Sequence, residues 1–528
     1  MFRLVWCLAI ASRLLQGNPP NAGGRIEGVV LRADTAEGIV DAKVALSTED
    51  GRVLQSVQSG PDGHYSIFGI EDRGRFYVTA SKLGFISSSV GSVRPGGSGS
   101  AISMASSAIL QDANIRLTVG AVVVGRVLDE TGTPVPNVKV TVSRWDYAPG
   151  LRTLVPQGGG EARSGRLGQF RIFGLPQGKY ILAFERNEIT ATIDVRTVDG
   201  NPVEVPTMYF PSVTSLAEAT EISLVPGREF SAGDTHLRAV RSHRVTGTVT
   251  TDGQPTEGVS IRLKPLAGGT IRATKTNALG KFDFVNVPTL DHVVNAQATD
   301  GAWAQSILHA SQLDDLRSLD LALAPAISIR CRVNADGRPG IPGDVVASLV
   351  ELDAEGLFSP RKAQIDSDGA LSFSKLLPGR YRFVATSRKW TVESIRDRGR
   401  DITDTPIEVT PTEVPDVFVE LSSTPARLAG TLVDPVGRPM SAHIVVLFGD
   451  SPNSWTPAST RIRSTRPDQF GTYEFSGLPE GSYRLVVLTD VDDGQWLAPG
   501  FLNDLSKSAL LVILSRGQQR VLDLRAER

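Results

Sequence analysis

The chain has 528 residues, 41% hydrophobic and 21% charged, with a formal net charge of −2. That length implies several domains, because one hydrophobic core stops growing at about 250–300 residues. The balanced charge excludes the basic footprint of a nucleic-acid binder, and the Gly 52 and Pro 32 fit a chain with many turns.

Met1-Phe2-Arg3-Leu4-Val5-Trp6-Cys7-Leu8-Ala9-Ile10-Ala11-Ser12 opens with one positive charge and a short apolar run. Ala9-Ile10-Ala11 has the small residues of a cleavage site, so 1–23 reads as a secretory signal segment. The run is too short to span a bilayer, and no later segment is long and apolar enough to do so. Arg3-Leu4-Val5-Trp6 does not give Cys7 the setting of a lipidated cysteine. Once the signal is removed, Cys331 stands alone and no intrachain disulfide can form. It lies on the isoleucine face of the alternating run Ile327-Ser328-Ile329-Arg330-Cys331-Arg332-Val333, as a buried core cysteine would.

A repeat organises the rest. Its clearest copy is Gly471-Thr472-Tyr473-Glu474-Phe475, then Leu478-Pro479-Glu480-Gly481-Ser482-Tyr483. Gly471 supplies a turn, Tyr473 and Phe475 share one strand face, and Pro479 and Gly481 make a second turn. Gly168 with Phe170 and Tyr180, and Gly369 with Phe373 and Tyr381, keep the same glycine-to-tyrosine spacing. The copy at Gly63 and Tyr65 is looser, and the copy at Gly280 and Phe282 ends in Asp291-His292 instead of Gly-x-Tyr. Upstream of each copy lies an opening strand and a turn. They run Gly28-Val29-Val30 to Gly38, Gly125-Arg126-Val127 to Pro134, and Gly247-Thr248-Val249 to Pro255. The last two run Cys331-Arg332-Val333 to Pro339, and Gly430-Thr431-Leu432 to Pro439. Short strands at this spacing, with turn signals between them, predict β-sandwiches.

This pattern resembles the carboxypeptidase regulatory-like domain, over nearly the whole chain after the signal segment. The resemblance implies an all-β protein: a tandem array of about five small transthyretin-like (prealbumin-like) or starch-binding-like sandwiches. B-type repeats of collagen adhesins are near relatives. The expected modules are 24–117, 118–240, 241–324, 325–422 and 423–528. Short linkers suggest a semi-rigid string. The Gly- and Ser-rich insert from Gly91 to Ser107 reads as a mobile loop, and Ser508 to Leu514 as a buried closing strand.

The family name invites a peptidase reading, but the residues do not supply one. His64, His236, His243, His292, His309 and His443 are scattered, and none begins a His-x-x-Glu zinc pair. There is no Gly-x-Ser-x-Gly elbow and no phosphate-binding loop with Lys-Ser/Thr. The expectation is therefore no enzyme, no metal and no cofactor. Adhesin repeats can carry a Lys–Asn isopeptide bond promoted by an acid. Lys139 and Glu185 are the nearest match, and exposed strand charges are the plainer account. Asp490-Val491-Asp492-Asp493-Gly494 hints at calcium but lacks the later ligands of an EF-hand loop, so it reads as a polar turn.

Sugar binding is the one site the family suggests. Trp145, Tyr147, Trp455 and Trp496 sit at strand ends or in loop-like segments, where aromatic rings could stack on sugar faces. Packing across a module joint explains them as well. The leading reading is a non-enzymatic scaffold or interaction protein, secreted, periplasmic or on the outer cell surface. Its partners would be polysaccharide or envelope proteins, with no nucleic acid. The alternatives are a carbohydrate-binding protein and an accessory array for a separate envelope enzyme.

Overall fold

The computed structural model describes residues 23–48, 51–70, 74–97, 99–104, 108–148, 151–186, 197–198, 201–313, 318–352, 361–366, 369–387, 389–456, 459–489, 491, 494–497 and 499–526. Residues 1–22 of the expected signal segment, Cys7 among them, lie outside the described residues, as do Asp490, Asp492 and Asp493 of the calcium-like turn.

The chain is all-β, a tandem array of five small sandwiches on one plan. In each, the opening strand lies in the middle of one sheet. It pairs antiparallel with the strand after the glycine turn and parallel with the last strand of the unit. In the first sandwich these are Gly24–Arg32, His64–Ile70 and Ile115–Val119. In the fifth they are Ala426–Val433, Thr472–Leu478 and Gln519–Val521. The facing sheet centres on the next strand. Lys43–Thr48 runs between Val53–Gln58 and Gly74–Ser81, and Ile444–Gly449 runs between Arg463–Thr465 and Gly481–Leu488. Alternation puts Ile26 and Val30 inward from the opening strand, against Val44, Ile67 and Val78.

Two sequence signals have direct structural causes. Gly471 has φ +77°, and a Cβ there would sit 2.5 Å from the Leu432 carbonyl. Backbone pairing at the opening strand therefore requires glycine; Gly63, Gly168 and Gly280 face Val30, Val127 and Val249 in the same way. Gly369 also has positive φ, with open space beside it. Gly430 faces the break between the strands Gln519–Val521 and Leu524–Arg525, and a Cβ there would meet the Leu522 carbonyl at 1.9 Å. Cys331 takes this place in the fourth sandwich, where the parallel pairing runs unbroken from Cys331–Val417 to Ala335–Leu421. Cys331 is fully buried, and burial pushes its thiol pKa up to about 12.

The tyrosine that closes each repeat satisfies its own turn. The hydroxyls of Tyr180, Tyr381 and Tyr483 donate to the carbonyls of Pro176, Leu377 and Pro479 at 3.0, 2.9 and 2.7 Å. These three rings are among the largest fully buried side chains. The third sandwich keeps the device with another residue: buried His292 approaches the Leu290 carbonyl through Nδ1 at 2.7 Å. A polar group buried here must find a partner, and the turn supplies it.

Three expectations are corrected. The expected semi-rigid string folds back on itself: among the described residues the fifth sandwich packs against the fourth, the first and the second. The insert from Gly91 onward is built into the fold, because Ala101 and Ile102 are buried and Ile102–Met104 pairs with Gly74–Phe76. Apolar residues inside that Gly/Ser stretch draw it into the core. The late apolar strand Leu510–Leu514 is an edge strand. It pairs with Gly481–Leu488 and leaves Leu510, Leu511 and Ile513 exposed.

Candidate functional site: the joints of the fifth sandwich

The strand Thr391–Asp397, the short strand Arg400–Asp401 and the following loop bring the fourth sandwich to the joint. The segment from Ser459 to Arg461 and the turn at Glu480 bring the fifth. Arg461 Nε stands 3.0 Å from Asp404 Oδ2, with the two side chains only 17% and 13% exposed. Ser459 Oγ donates to Asp404 Oδ1 at 2.8 Å, and Thr456 Oγ1 donates to the Asp404 carbonyl at 2.7 Å. Burial holds the Asp404 carboxyl above the usual carboxylate range even beside Arg461. Arg461 Nη1 donates to the Glu480 carbonyl at 3.2 Å, and the Glu480 amide donates to Glu393 Oε1 at 2.8 Å. Glu393 Oε2 is buried without a hydrogen bond, and burial pushes that carboxyl up as well. Below this, Arg516 pairs with Asp336 and donates to Ser422 Oγ at 3.0 Å. A cavity of about 430 Å³ lies at the joint between Asp401, Asp450, Asn453 and Arg461.

The contact with the first sandwich is different in kind. Gln469 docks on the strand Ile102–Met104 as another strand would. Its Oε1 accepts the Ser103 amide and its Nε2 donates to the Ser103 carbonyl, both at 2.9 Å. Ser103 Oγ donates to Asp468 Oδ2 at 2.9 Å, while Asp468 Oδ1 accepts the amides of Phe470 and Thr472 in its own turn. Ser100 Oγ donates to the Ser441 carbonyl at 2.6 Å, and Arg75 Nη2 donates to the Arg466 carbonyl at 3.0 Å. Arg94 donates to the Val491 carbonyl. No hydrophobic periodicity announces Ser100, Ser103 or Gln469, so the sequence offers no sign of this joint.

The structure disperses the sugar-binding candidates. Trp455 is 7% exposed; its Nε1 donates to the Gly449 carbonyl at 2.7 Å and its ring meets Phe448 edge-on. Trp496 is 8% exposed and shares a second apolar cluster with Trp455, Phe448 and Leu502. Both rings are packed into the fifth sandwich. Both cover the outer face of Ile444–Gly449, a strand buried on both sides. The continuous run Ile444-Val445-Val446-Leu447-Phe448 was the available signal, because a strand covered on both faces needs no alternation. Trp145 is half-buried on the strand Val138–Ala148, paired with Leu154. Tyr147 follows on the same strand opposite Arg152, and its side chain lies outside the described residues. The turn Gln495–Leu497 lies against this strand, so the segments of Trp145 and Trp496 meet at a joint.

The remaining structural candidates fall where the repeat implies. Tyr65 and Tyr473 are buried and donate to the carbonyls of Ala113 and Leu522, both at 2.5 Å. Phe170 and Phe282 are core residues, each edge-on to a second phenylalanine. Pro479 and Gly481 flank the turn that Tyr483 closes. Lys139 lies opposite Glu185 in register, but its ammonium pairs with Glu161 at 3.0 Å. Among the described residues, no group of three or more His, Cys, Asp or Glu could hold a metal, and no helix is long and apolar enough to cross a membrane.

No family model matches the chain. A stretch of 284 residues, 47% of the chain, is 24% identical to Colossin-A of Dictyostelium discoideum and spans 2% of that protein's length. Among solved structures, a streptococcal ancillary pilin aligns at 11% identity and TM-score 0.22, over 57% of this chain and all but 1% of its own. The minor pilin of Streptococcus agalactiae aligns at 13% and 0.21, over 42% of this chain and 97% of its own. The Bacillus anthracis TIE protein aligns at 10% and 0.15, over 97% of this chain and 73% of its own.

Proposed function

We propose that the chain is a non-enzymatic structural protein of the cell envelope or exterior. Its modules, 24–117, 118–240, 241–324, 325–422 and 423–528, are of the carboxypeptidase regulatory-like kind, exported by the segment 1–23. The observation that carries this reading is the fixing of the fifth sandwich at two faces, through Asp404–Arg461 and through Gln469 on Ser103. Such joints serve a body that holds its loops in set positions, and loops on a fixed scaffold are where partners bind. Envelope proteins are the partners this reading favours.

The test is fractionation of cells producing the full chain, followed by cross-linking and mass spectrometry. The chain is expected in the exported fraction, cross-linked through its loops to another envelope protein. Retention of the chain inside the cell, with no cross-linked partner, would overturn the reading.

A further inference from the structure

On the other side of the joint between the fourth and fifth sandwiches lies a cleft of about 570 Å³, within the usual range of small-ligand sites. Arg382, on the strand Gly379–Thr386, lines one wall, and Arg463, at the start of Arg463–Thr465, lines the other. Trp390 and Thr460 complete the rim.

Several arginines on the sheet faces pair with carboxylates. Arg126 has Asp234, Arg244 has Asp283, Arg330 has Asp366, and Arg427 has Glu474. Among the described residues, neither Arg382 nor Arg463 has a carboxylate partner, and no acidic residue lines the cleft. Arg382 Nε and Thr460 Oγ1 are both buried without a hydrogen bond. Lys389 adds a third positive charge, its Nζ 5.6 Å from the centre of the Trp390 ring. Burial, and then the charge of Arg463, both act against the positive charge on Arg382. Two guanidiniums across a cleft, with unused donors, form a receptor for an oxyanion.

We propose that this cleft binds an oxyanion-bearing ligand of about monosaccharide size, with its carboxylate, sulfate or phosphate held between Arg382 and Arg463 and its ring beside Trp390. The anion would occupy the place a protein carboxylate takes elsewhere in the chain. The inference does not depend on where the protein resides or on its scaffold role.

The experiment titrates the full chain with sodium sulfate, inorganic phosphate, galacturonate and glucose at constant ionic strength, followed by tryptophan fluorescence and calorimetry. At least one anion is expected to saturate the site while glucose does not. Arg382→Gln and Arg463→Gln should each weaken binding tenfold or more. Binding of galacturonate alone would assign a sugar carboxylate; binding of sulfate and phosphate alone would assign a tetrahedral anion. Saturation by none of the anions, or equal binding by a variant carrying both Arg382→Gln and Arg463→Gln, would overturn the proposal. Arg382→Lys and Arg463→Lys serve if the glutamine variants fail to fold; they keep the charge but lose the two-pronged geometry, and binding unchanged in both would also overturn it.

Discussion

The two joints of the fifth sandwich use opposite chemistry. Against the fourth it buries charge: Asp404 and Arg461 are both more than four-fifths covered. Against the first, the charged groups Asp468, Arg75 and Arg94 bond to neutral partners, and the Gln469 amide copies a strand partner on Ser103. The first kind is costly to break on one side, because a lone charge stays buried, while the whole pair can be exchanged for apolar groups at little cost. The second kind loses only what its hydrogen bonds contribute. The fourth and fifth sandwiches also follow one another in the chain, whereas the first and fifth meet across almost its whole length, so the second joint closes the chain, beside the contact of Gln495–Leu497 with Val138–Ala148 of the second sandwich.

The largest effect is expected from Arg461→Ala, which strands the Asp404 carboxylate. A loss of about 3 kcal/mol in the stability of the joined fourth and fifth sandwiches should appear in denaturant unfolding. The double variant Asp404→Leu with Arg461→Met should recover most of that loss, since burial already opposes the Asp404 charge. A double variant as weak as Arg461→Ala would show that the joint needs the ions themselves.

Gln469→Ala removes both bonds to Ser103 and should cost about 1–2 kcal/mol, read as faster hydrogen exchange at Ile102–Met104 with the cores unchanged. An unchanged exchange rate would place the closure in other contacts. His443 sharpens the same joint by pH. It is buried beside Ser441, with both ring nitrogens lacking hydrogen bonds. Burial lowers its proton affinity in the folded chain, so the unfolded chain takes up the proton first as pH falls. Its contribution is complete above about pH 6.5 and is lost below it, by at most about 1.4 kcal/mol per pH unit. His443→Leu should flatten that slope; an unaltered slope would assign it to other groups. The smallest effect belongs to Asp504→Ala, whose pair with Lys507 is exposed on both sides. It should change stability by less than about 0.5 kcal/mol, within the range of a surface ion pair.

The repeat was legible because it consists of turn glycines, alternating strands and one buried tyrosine, and each of these is a local constraint on the backbone. The third sandwich marks the limit of that reading: Asp291-His292 broke the pattern in sequence, yet His292 meets the turn carbonyl as Tyr483 does. Of the two accounts of Trp455 and Trp496, packing is the one their burial fits, since they cover the second face of Ile444–Gly449 from segments that look like loops in sequence. The closure was illegible. Its residues are polar, aperiodic and hundreds of positions apart, and Arg382 and Arg463 stand out only when their missing partners can be seen in space.

Closure is tested most directly by placing thiols at Ser103→Cys and Gln469→Cys in the full chain. Cys331 is fully buried and should not compete, and Cys7→Ser in the same background removes the other thiol. A short thiol cross-linker should join the two positions within one molecule at low protein concentration, and either single variant should give no such product. An extended string would hold the two thiols far apart, and the absence of an intramolecular link would contradict the docking of the fifth sandwich on the first.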